Sequence, residues 1–263
     1  MLIVEKRLDV LVMKALIAGF KRISLTDVHN EPTFTLWLCG CNLRCPFCHN
    51  WKLAIGDREL CKPIDINYIV DEIISTKKFI TYLHVTGGEP LLQLAALEEI
   101  FRSVKDHDVS TSLNSNLTFP NRIERLLSKN LVDHIATDLK IPFDELSGLA
   151  GESSVLWKKF IESLEVINGY NIVFELRIPV ARDLTLKYIE GVLSSIERLL
   201  NNIDNVYCIV NPLVGEPLVN PRDRDWARRY CNPPMAEVYR IAEIVRERIG
   251  CKVYVKKWWS FGS

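Results

Sequence analysis

Cys41, Cys45 and Cys48 lie in the stretch TLWLCGCNLRCPFCHNW, separated by three and then two residues. Thiolate sulfur is a soft ligand that suits iron-sulfur clusters and zinc, and three thiols so close on one loop can converge on a single metal centre. No fourth ligand is evident. Ferredoxin-type clusters take four cysteines and structural zinc closes four-coordinate, so a three-cysteine loop leaves one metal position open to a substrate or cofactor. Cys39, two residues ahead of Cys41, would share its strand face if the strand ran on and is the alternative fourth thiol. His49, next to Cys48, is placed beside the centre as a packing or hydrogen-bonding neighbour.

A second constellation, Gly87-Gly88-Glu89-Pro90, begins 39 residues after Cys48. Paired glycines let backbone approach a ligand closely and leave peptide groups free to bind it; a plain strand-to-helix turn is the alternative. Pro90 suits the first position of a helix. Farther on, Asp138 and Lys140 stand two apart, as do Glu175 and Arg177, and residues two apart share a strand face. Each pair is either turned to a site or a surface ion pair.

The CxxxCxxC loop, the apolar run Phe34 to Leu38 before it, Phe47 between its last two cysteines and the GGEP segment together resemble the radical S-adenosylmethionine (SAM) superfamily. The resemblance implies that Cys41, Cys45 and Cys48 hold a [4Fe-4S] cluster whose open iron is chelated by SAM. It implies that an electron then cleaves SAM to methionine and a 5′-deoxyadenosyl radical. Gly87, Gly88 and Glu89 would place the amino end of SAM. Asp138 and Lys140, in the Asp-Leu-Lys that matches the end of the family's fourth strand, and Arg177 on the fifth would be further cofactor contacts. Where the family often has Asp-Thr-Asn-Gly, this chain has Asn114-Ser115-Asn116-Leu117. Asn114 and Ser115 are carried over as cofactor contacts without the aspartate charge, and Leu117 is expected to lack the positive-φ freedom of glycine.

The opening GFKRISLTDVHNEPTFTLWLCGCNLRCPFCHN is similar to the activating enzymes of glycyl-radical proteins, first those of anaerobic ribonucleoside-triphosphate reductase and second those of pyruvate formate-lyase. FDELSGLAG, from Phe143 to Gly151, also matches. The implied substrate is a backbone glycine of a large glycyl-radical protein, and the implied electron donor is of flavodoxin or ferredoxin type. The resemblance fades beyond strand five, so the partner is the least constrained part. Two other readings stay open. One gives the radical chemistry to a small molecule or a tRNA base, with Arg222, Arg224, Arg228 and Arg229 as its support; the other makes the cysteines a non-enzymatic electron carrier or zinc module, which leaves GGEP unexplained.

The elements that must position these residues follow from periodicity. Asp9 to Ala18 has helical spacing closed by Gly19, and Phe20 to Leu25 and Thr33 to Leu38 read as strands about a turn at Asn30-Glu31-Pro32. Helices are expected near Asp65 to Lys77, after Pro90, from Pro120 to Lys129, and over Val155–Ile167, Leu184–Leu200 and Met235–Ile249. Strands are expected at Tyr82–Thr86, Val109–Ser115, Val132–Lys140, Ile172–Pro179 and Asn205–Val210, with an edge strand near Lys252 to Lys257. Six strand-helix alternations match, by the resemblance, an α/β fold of partial (βα)6 TIM-type barrel. Residues 1–33 would pack on that barrel, 34–210 would form it, and 211–263 would add a proline-rich loop, a helix and the edge segment to the same globular unit. Trp258-Trp259 would cap the barrel or meet a partner.

With 263 residues, 48% hydrophobic and 25% charged, the chain suits one α/β unit with a sizeable core. Lys plus Arg (33) equals Asp plus Glu (33), which gives no global argument for nucleic acid or an anionic membrane. Four of the eight cysteines fall between Cys39 and Cys48, a clustering that points to a metal in a reducing compartment rather than to a disulfide framework. Glu5, Lys6, Arg7 and Asp9 interrupt the apolar N-terminus, so no secretory or membrane-spanning run is expected and the protein is placed in the cytoplasm.

Overall fold

The computed structural model describes residues 13–257. Nine strands make one sheet: β1 (Lys14–Val28), β2 (Glu31–Leu38), β3 (Lys62–Asp65), β4 (Tyr82–Gly87), β5 (Ser110–Asn114), β6 (His134–Asp138), β7 (Val173–Val180), β8 (Asn205–Pro212) and β9 (Lys252–Val255), in the order β3-β1-β2-β4-β5-β6-β7-β8-β9. From β2 onward along that order every pair is parallel, while β1 runs antiparallel to both β2 and β3. Among the described residues the sheet keeps two free edges and does not close. Nine helices connect the strands among the described residues: α1 (Trp51–Ala54), α2 (Ile66–Thr76), α3 (Leu94–Lys105), α4 (Pro120–Ser128), α5 (Phe143–Ser147), α6 (Ser153–Asn168), α7 (Leu184–Leu200), α8 (Arg224–Tyr230) and α9 (Met235–Ile249). Strands β2 and β4 to β8 are each followed by helix, so the α/β architecture of six such units is observed, with β9 as a seventh parallel strand on the edge.

The two faces of the sheet differ sharply in chemistry. One packs Leu83, Val85, Leu113, Ile135, Phe174, Leu176 and Val210 against helix residues such as Ile73, Phe101, Leu164 and Val245, all in one buried cluster. Successive side chains alternate between faces, and the intervening positions His84, Ser112, His134, Glu175 and Tyr207 are polar and bonded to one another. Barrel interiors are ordinarily filled by branched apolar side chains. Here the apolar core lies between the sheet and the helices, and the inner face carries polar groups.

Local chemistry explains most boundaries. Asp65 caps α2, its carboxylate accepting from the Asn67 amide at 2.9 Å. Pro90 opens a short 3-10 turn, Pro90–Gln93, that runs into α3. The helices expected at Leu184–Leu200 and Met235–Ile249 are found with those limits.

The helix expected over Asp9 to Ala18 is not formed where the structure describes it: Lys14 to Ala18 belong to β1, and residues 9–12 lie outside the described residues. Pairing on both sides decides this. Ala15 faces Ile64 of β3 and Ile17 faces Lys62 of β3 and Leu38 of β2, and both side chains are buried while Leu16 between them is exposed. The β1–β2 turn falls at His29-Asn30, with Asn30 at φ 60°, and Pro32 lies inside β2 rather than in the turn. The Trp258-Trp259 pair lies outside the described residues. Among the described residues no helix is long and apolar enough to cross a membrane.

Candidate metal and cofactor site

β2 ends at Leu38, and the cysteine loop that follows is fixed to its surroundings almost entirely through its own backbone. Gly40 N donates to Leu53 O at 2.9 Å and Arg44 N to Ser147 O at 2.9 Å. From the other side Arg222 N donates to Cys48 O at 3.1 Å, Asp223 N to Pro46 O at 3.0 Å, and the Arg222 guanidinium to Leu43 O at 3.4 Å. The arginine-rich connection, whose role the sequence leaves open, therefore clamps the cysteine loop. Asn42 links the loop to the end of β5, donating to Thr118 Oγ1 and accepting from Asn116 Nδ2, both at 2.8 Å.

Cys41, Cys45 and Cys48 are free thiols that line one cavity of about 610 Å³ together with Gly87, Gly88, Asn114, Ser115, Asp138, Lys140 and Arg177. The structure thus brings together the three cysteines and all the expected cofactor contacts except Glu89. The glycines are needed for packing first. A Cβ on Gly87, at φ 120°, would stand 2.2 Å from Leu38 O, and one on Gly88 would stand 1.9 Å from Gly40 O. Their neighbouring amides are not left free, contrary to expectation: Gly88 N donates to Leu38 O at 2.9 Å and Glu89 N to Gly40 O at 2.7 Å. The GGEP turn is laced to the start of the cysteine loop, so the two motifs form one unit.

Glu89 is fully buried and turned into the protein. Its carboxylate accepts from Leu91 N at 3.1 Å, Ser115 Oγ at 2.9 Å and Asn116 N at 2.7 Å, and burial raises its pKa to about 7. It holds the loop after β5 in place. Asn114 donates to Thr86 Oγ1 at 2.9 Å. Leu117, expected to avoid positive φ, adopts φ 57°. Two buried bonds fix it there: its amide donates to Ser115 Oγ at 3.1 Å and its carbonyl accepts from Ser163 Oγ at 2.7 Å.

Lys140 is buried, with Nζ 3.8 Å from Asp138 Oδ2 and 3.5 Å from Asp138 O. Burial pulls its pKa down, but Asp138, Cys45, Cys41 and Glu89 outweigh burial and leave it raised, so the ammonium persists beside the thiols. Arg177 satisfies both alternatives at once: it lines the cavity, it is ion-paired to Glu175, and it donates to Asp27 O at 2.6 Å. His49 lines the cavity too, and burial lowers its pKa, which keeps the ring neutral.

Cys39 is disulfide-bonded to Cys61 and is therefore unavailable as a ligand. This removes the alternative of a fourth thiol and leaves the cluster to the later three cysteines, and it places one disulfide where the clustering of the cysteines pointed away from a disulfide framework. Cys61 immediately precedes β3, which β1 draws alongside the end of β2; the closure arises from strand pairing and has no local signal.

The donor set fits an iron-sulfur cluster. Three soft thiols face one cavity, and burial holds Cys41 and Cys45 near pKa 11, so their deprotonation calls for a cationic metal. The arrangement suits a group with several metal corners, each taking one thiolate. His84, Asn211 and Lys256 also line the cavity and went unmarked in the sequence reading; a histidine inside an apolar strand was the available signal for the first.

The comparisons with known proteins agree with this geometry. The model of the radical SAM superfamily matches residues 36–196. A protein of Methanocaldococcus jannaschii named as a glycyl-radical enzyme activating enzyme is 29% identical over 170 residues, which span 63% of this chain and 68% of that protein. The pyruvate formate-lyase-activating enzyme of Staphylococcus aureus is 28% identical over 188 residues, 66% of this chain and 70% of that one. The solved structure of TYW1 with a lysine-pyruvate adduct bound superposes with a TM-score of 0.53 at 11% identity, over 82% of this chain and 73% of that chain, a likeness of fold.

Proposed function

The chain belongs to the radical SAM superfamily, whose members use a [4Fe-4S] cluster and S-adenosylmethionine, and we propose that it uses them to install a glycyl radical on a partner enzyme such as anaerobic ribonucleotide reductase. The observation that carries the proposal is the single cavity in which three free thiols meet Lys140, Asp138 and the glycine turn. The likeness to two activating enzymes supports the choice of substrate.

In this reading Cys41, Cys45 and Cys48 hold three corners of the cluster and leave the fourth to SAM. When bound and reduced by an external donor, the cluster would supply the one electron for reductive cleavage of SAM, whose radical product would abstract hydrogen from a glycine of the partner. The chain's own work is placement. Lys140, the buried ammonium, would pair with the SAM carboxylate, a charge-assisted bond of the stronger kind. Gly87 and Gly88 admit the cysteine loop to contact distance, and Glu89, buried beneath them, fixes the loop after β5. Asp138, Asn114, Ser115 and Arg177 complete the wall.

Three of the four arginines that supported a nucleic-acid substrate are engaged elsewhere. Arg224 pairs with Glu216 at 3.2 Å and Arg228 with Asp225 at 2.8 Å, while Arg222 holds the cysteine loop. The experiment is an anaerobic incubation of the cluster-loaded protein with SAM, a reduced flavodoxin or ferredoxin and a glycyl-radical protein, followed by electron paramagnetic resonance. The expected result is a radical on the partner that disappears when its radical glycine is replaced by alanine. Release of 5′-deoxyadenosine that is stimulated by a small molecule or a tRNA, with no radical on the glycyl-radical protein, would overturn the assignment of substrate.

A further inference from the structure

Four buried side chains and the half-buried Tyr207 on the inner face of the sheet form one chain of hydrogen bonds, and its direction can be worked out. Tyr207 donates to Glu175 Oε2 at 2.5 Å. Tyr207 O lies 3.2 Å from His134 Nε2, His134 Nδ1 lies 2.7 Å from Ser112 Oγ, and Ser112 Oγ lies 2.8 Å from His84 Nδ1. Each hydroxyl has one proton to give, and a carboxylate only accepts. Glu175 is held ionised: burial raises its pKa, but the Arg177 guanidinium and the Tyr207 hydroxyl bonded to it lower it. Burial is also the largest influence keeping both histidines neutral.

The protons then have one consistent arrangement. Tyr207 spends its proton on Glu175 and must accept from His134 Nε2–H. A neutral His134 so protonated has a bare Nδ1, which receives the Ser112 proton. Ser112 in turn accepts from His84 Nδ1–H, which leaves His84 Nε2 bare. Among the described residues that nitrogen has no protein partner, and His84 lines the cavity. It sits on β4 two residues before Thr86, on the same face. A second acceptor is also unpartnered: Asn211 Oδ1, buried, on another residue of the cavity wall.

We infer that His84 Nε2 is a hydrogen-bond acceptor on the cavity floor that receives a neutral N–H donor of the substrate, and that Glu175 fixes this polarity from four hydrogen bonds away. The neutral class follows from the charges nearest the network: Arg177 faces Glu175, and Asp27 and Lys256 of opposite sign both line the cavity, while Lys140 is reserved for the SAM carboxylate, so no surplus charge is left for the substrate beside His84. A peptide N–H of an inserted segment has the required chemistry; the choice of a peptide as its source rests on the glycyl-radical reading. His84 is a substrate-contacting residue in this proposal, and Ser112, His134, Tyr207 and Glu175 are positioning residues.

The test is nitrogen-15 spectroscopy of the cluster-loaded protein labelled at histidine, with His84 assigned through His84→Gln. The expected spectrum shows His84 protonated at Nδ1 and bare at Nε2, and His134 the reverse. Tyr207→Phe breaks the chain, so His84 should then gain a population protonated at Nε2; if that variant does not fold, Ser112→Ala interrupts the next link with the same expected result. N-methylacetamide, a peptide surrogate with one N–H, should move the Nε2 resonance saturably, and N,N-dimethylacetamide, which has none, should not. A native His84 protonated at Nε2, a tautomer unchanged by the broken chain, or equal responses to the two amides would overturn the inference. None of these spectra needs a partner protein, so failure of the glycyl-radical reading would leave them as they are.

Discussion

Gly88→Ala should dislodge the cysteine loop without touching a cysteine. A methyl there would stand 1.9 Å from Gly40 O, 2.6 Å from the Gly40 carbonyl carbon and 3.3 Å from Cys41 Cβ, whereas ordinary contact begins at 3.4 Å. The loop would have to retreat by about 1.5 Å, the difference between 3.4 and 1.9 Å. That breaks the 2.7 Å bond from Glu89 N to Gly40 O, worth about 1 kcal/mol net, and adds the roughly 1–3 kcal/mol of an overpacked site. The expected loss is about 2–4 kcal/mol, read from urea unfolding of the cluster-free protein, together with a fall in iron and sulfide bound per chain after reconstitution. Gly191→Ala in α7 is the control. It is exposed with nothing within 4 Å of the added methyl and should gain up to about 1 kcal/mol from helix propensity. A Gly88→Ala protein as stable as the native chain, with full iron, would refute the claim that the two motifs are one packed unit.

Other outcomes follow from single contacts. Lys140→Met should weaken SAM binding tenfold or more, the equivalent of one charge-assisted bond of about 1.5–3 kcal/mol, measured by equilibrium binding to the cluster-loaded protein. Ser163→Ala leaves the buried Leu117 carbonyl without its 2.7 Å donor and should cost about 1–3 kcal/mol in urea unfolding. Burial pushes the His134 pKa from 6.5 to about 4. The unfolded chain therefore takes up that proton at higher pH than the folded one, so the stability contributed by the neutral ring is complete above pH 6.5 and lost as pH falls toward 4. The loss amounts to about 3 kcal/mol; His134→Gln should flatten that part of the pH profile, and an unchanged slope would contradict it.

What could be read in the sequence was whatever is local. The cysteine spacing, the GGEP turn and the apolar periodicity of α7 and α9 are each contained within one segment, and each is found in place. What could not be read depends on segments meeting. Lys14 to Ala18 have apolar spacing compatible with either period, and only pairing with β2 and β3 makes them a strand. That same pairing brings Cys61 to Cys39 across 22 residues. Leu117 holds a positive φ because Ser115 of its own loop and Ser163 of α6, 46 residues away, bond to it. The polar chain on the inner face was the least legible feature of all: His84, Ser112, His134, Glu175 and Tyr207 are placed singly on four neighbouring strands and on the strand beside them, and no segment holds enough of them to form a pattern.

The measurement that bears most directly on the account is SAM cleavage by the isolated protein. The chain is reconstituted with iron and sulfide without oxygen, reduced with dithionite and given SAM, and 5′-deoxyadenosine is measured beside a variant carrying Cys41→Ala, Cys45→Ala and Cys48→Ala. The account predicts release by the native chain and none by the variant. A native protein shown to carry its full cluster that neither releases 5′-deoxyadenosine nor binds SAM would contradict it.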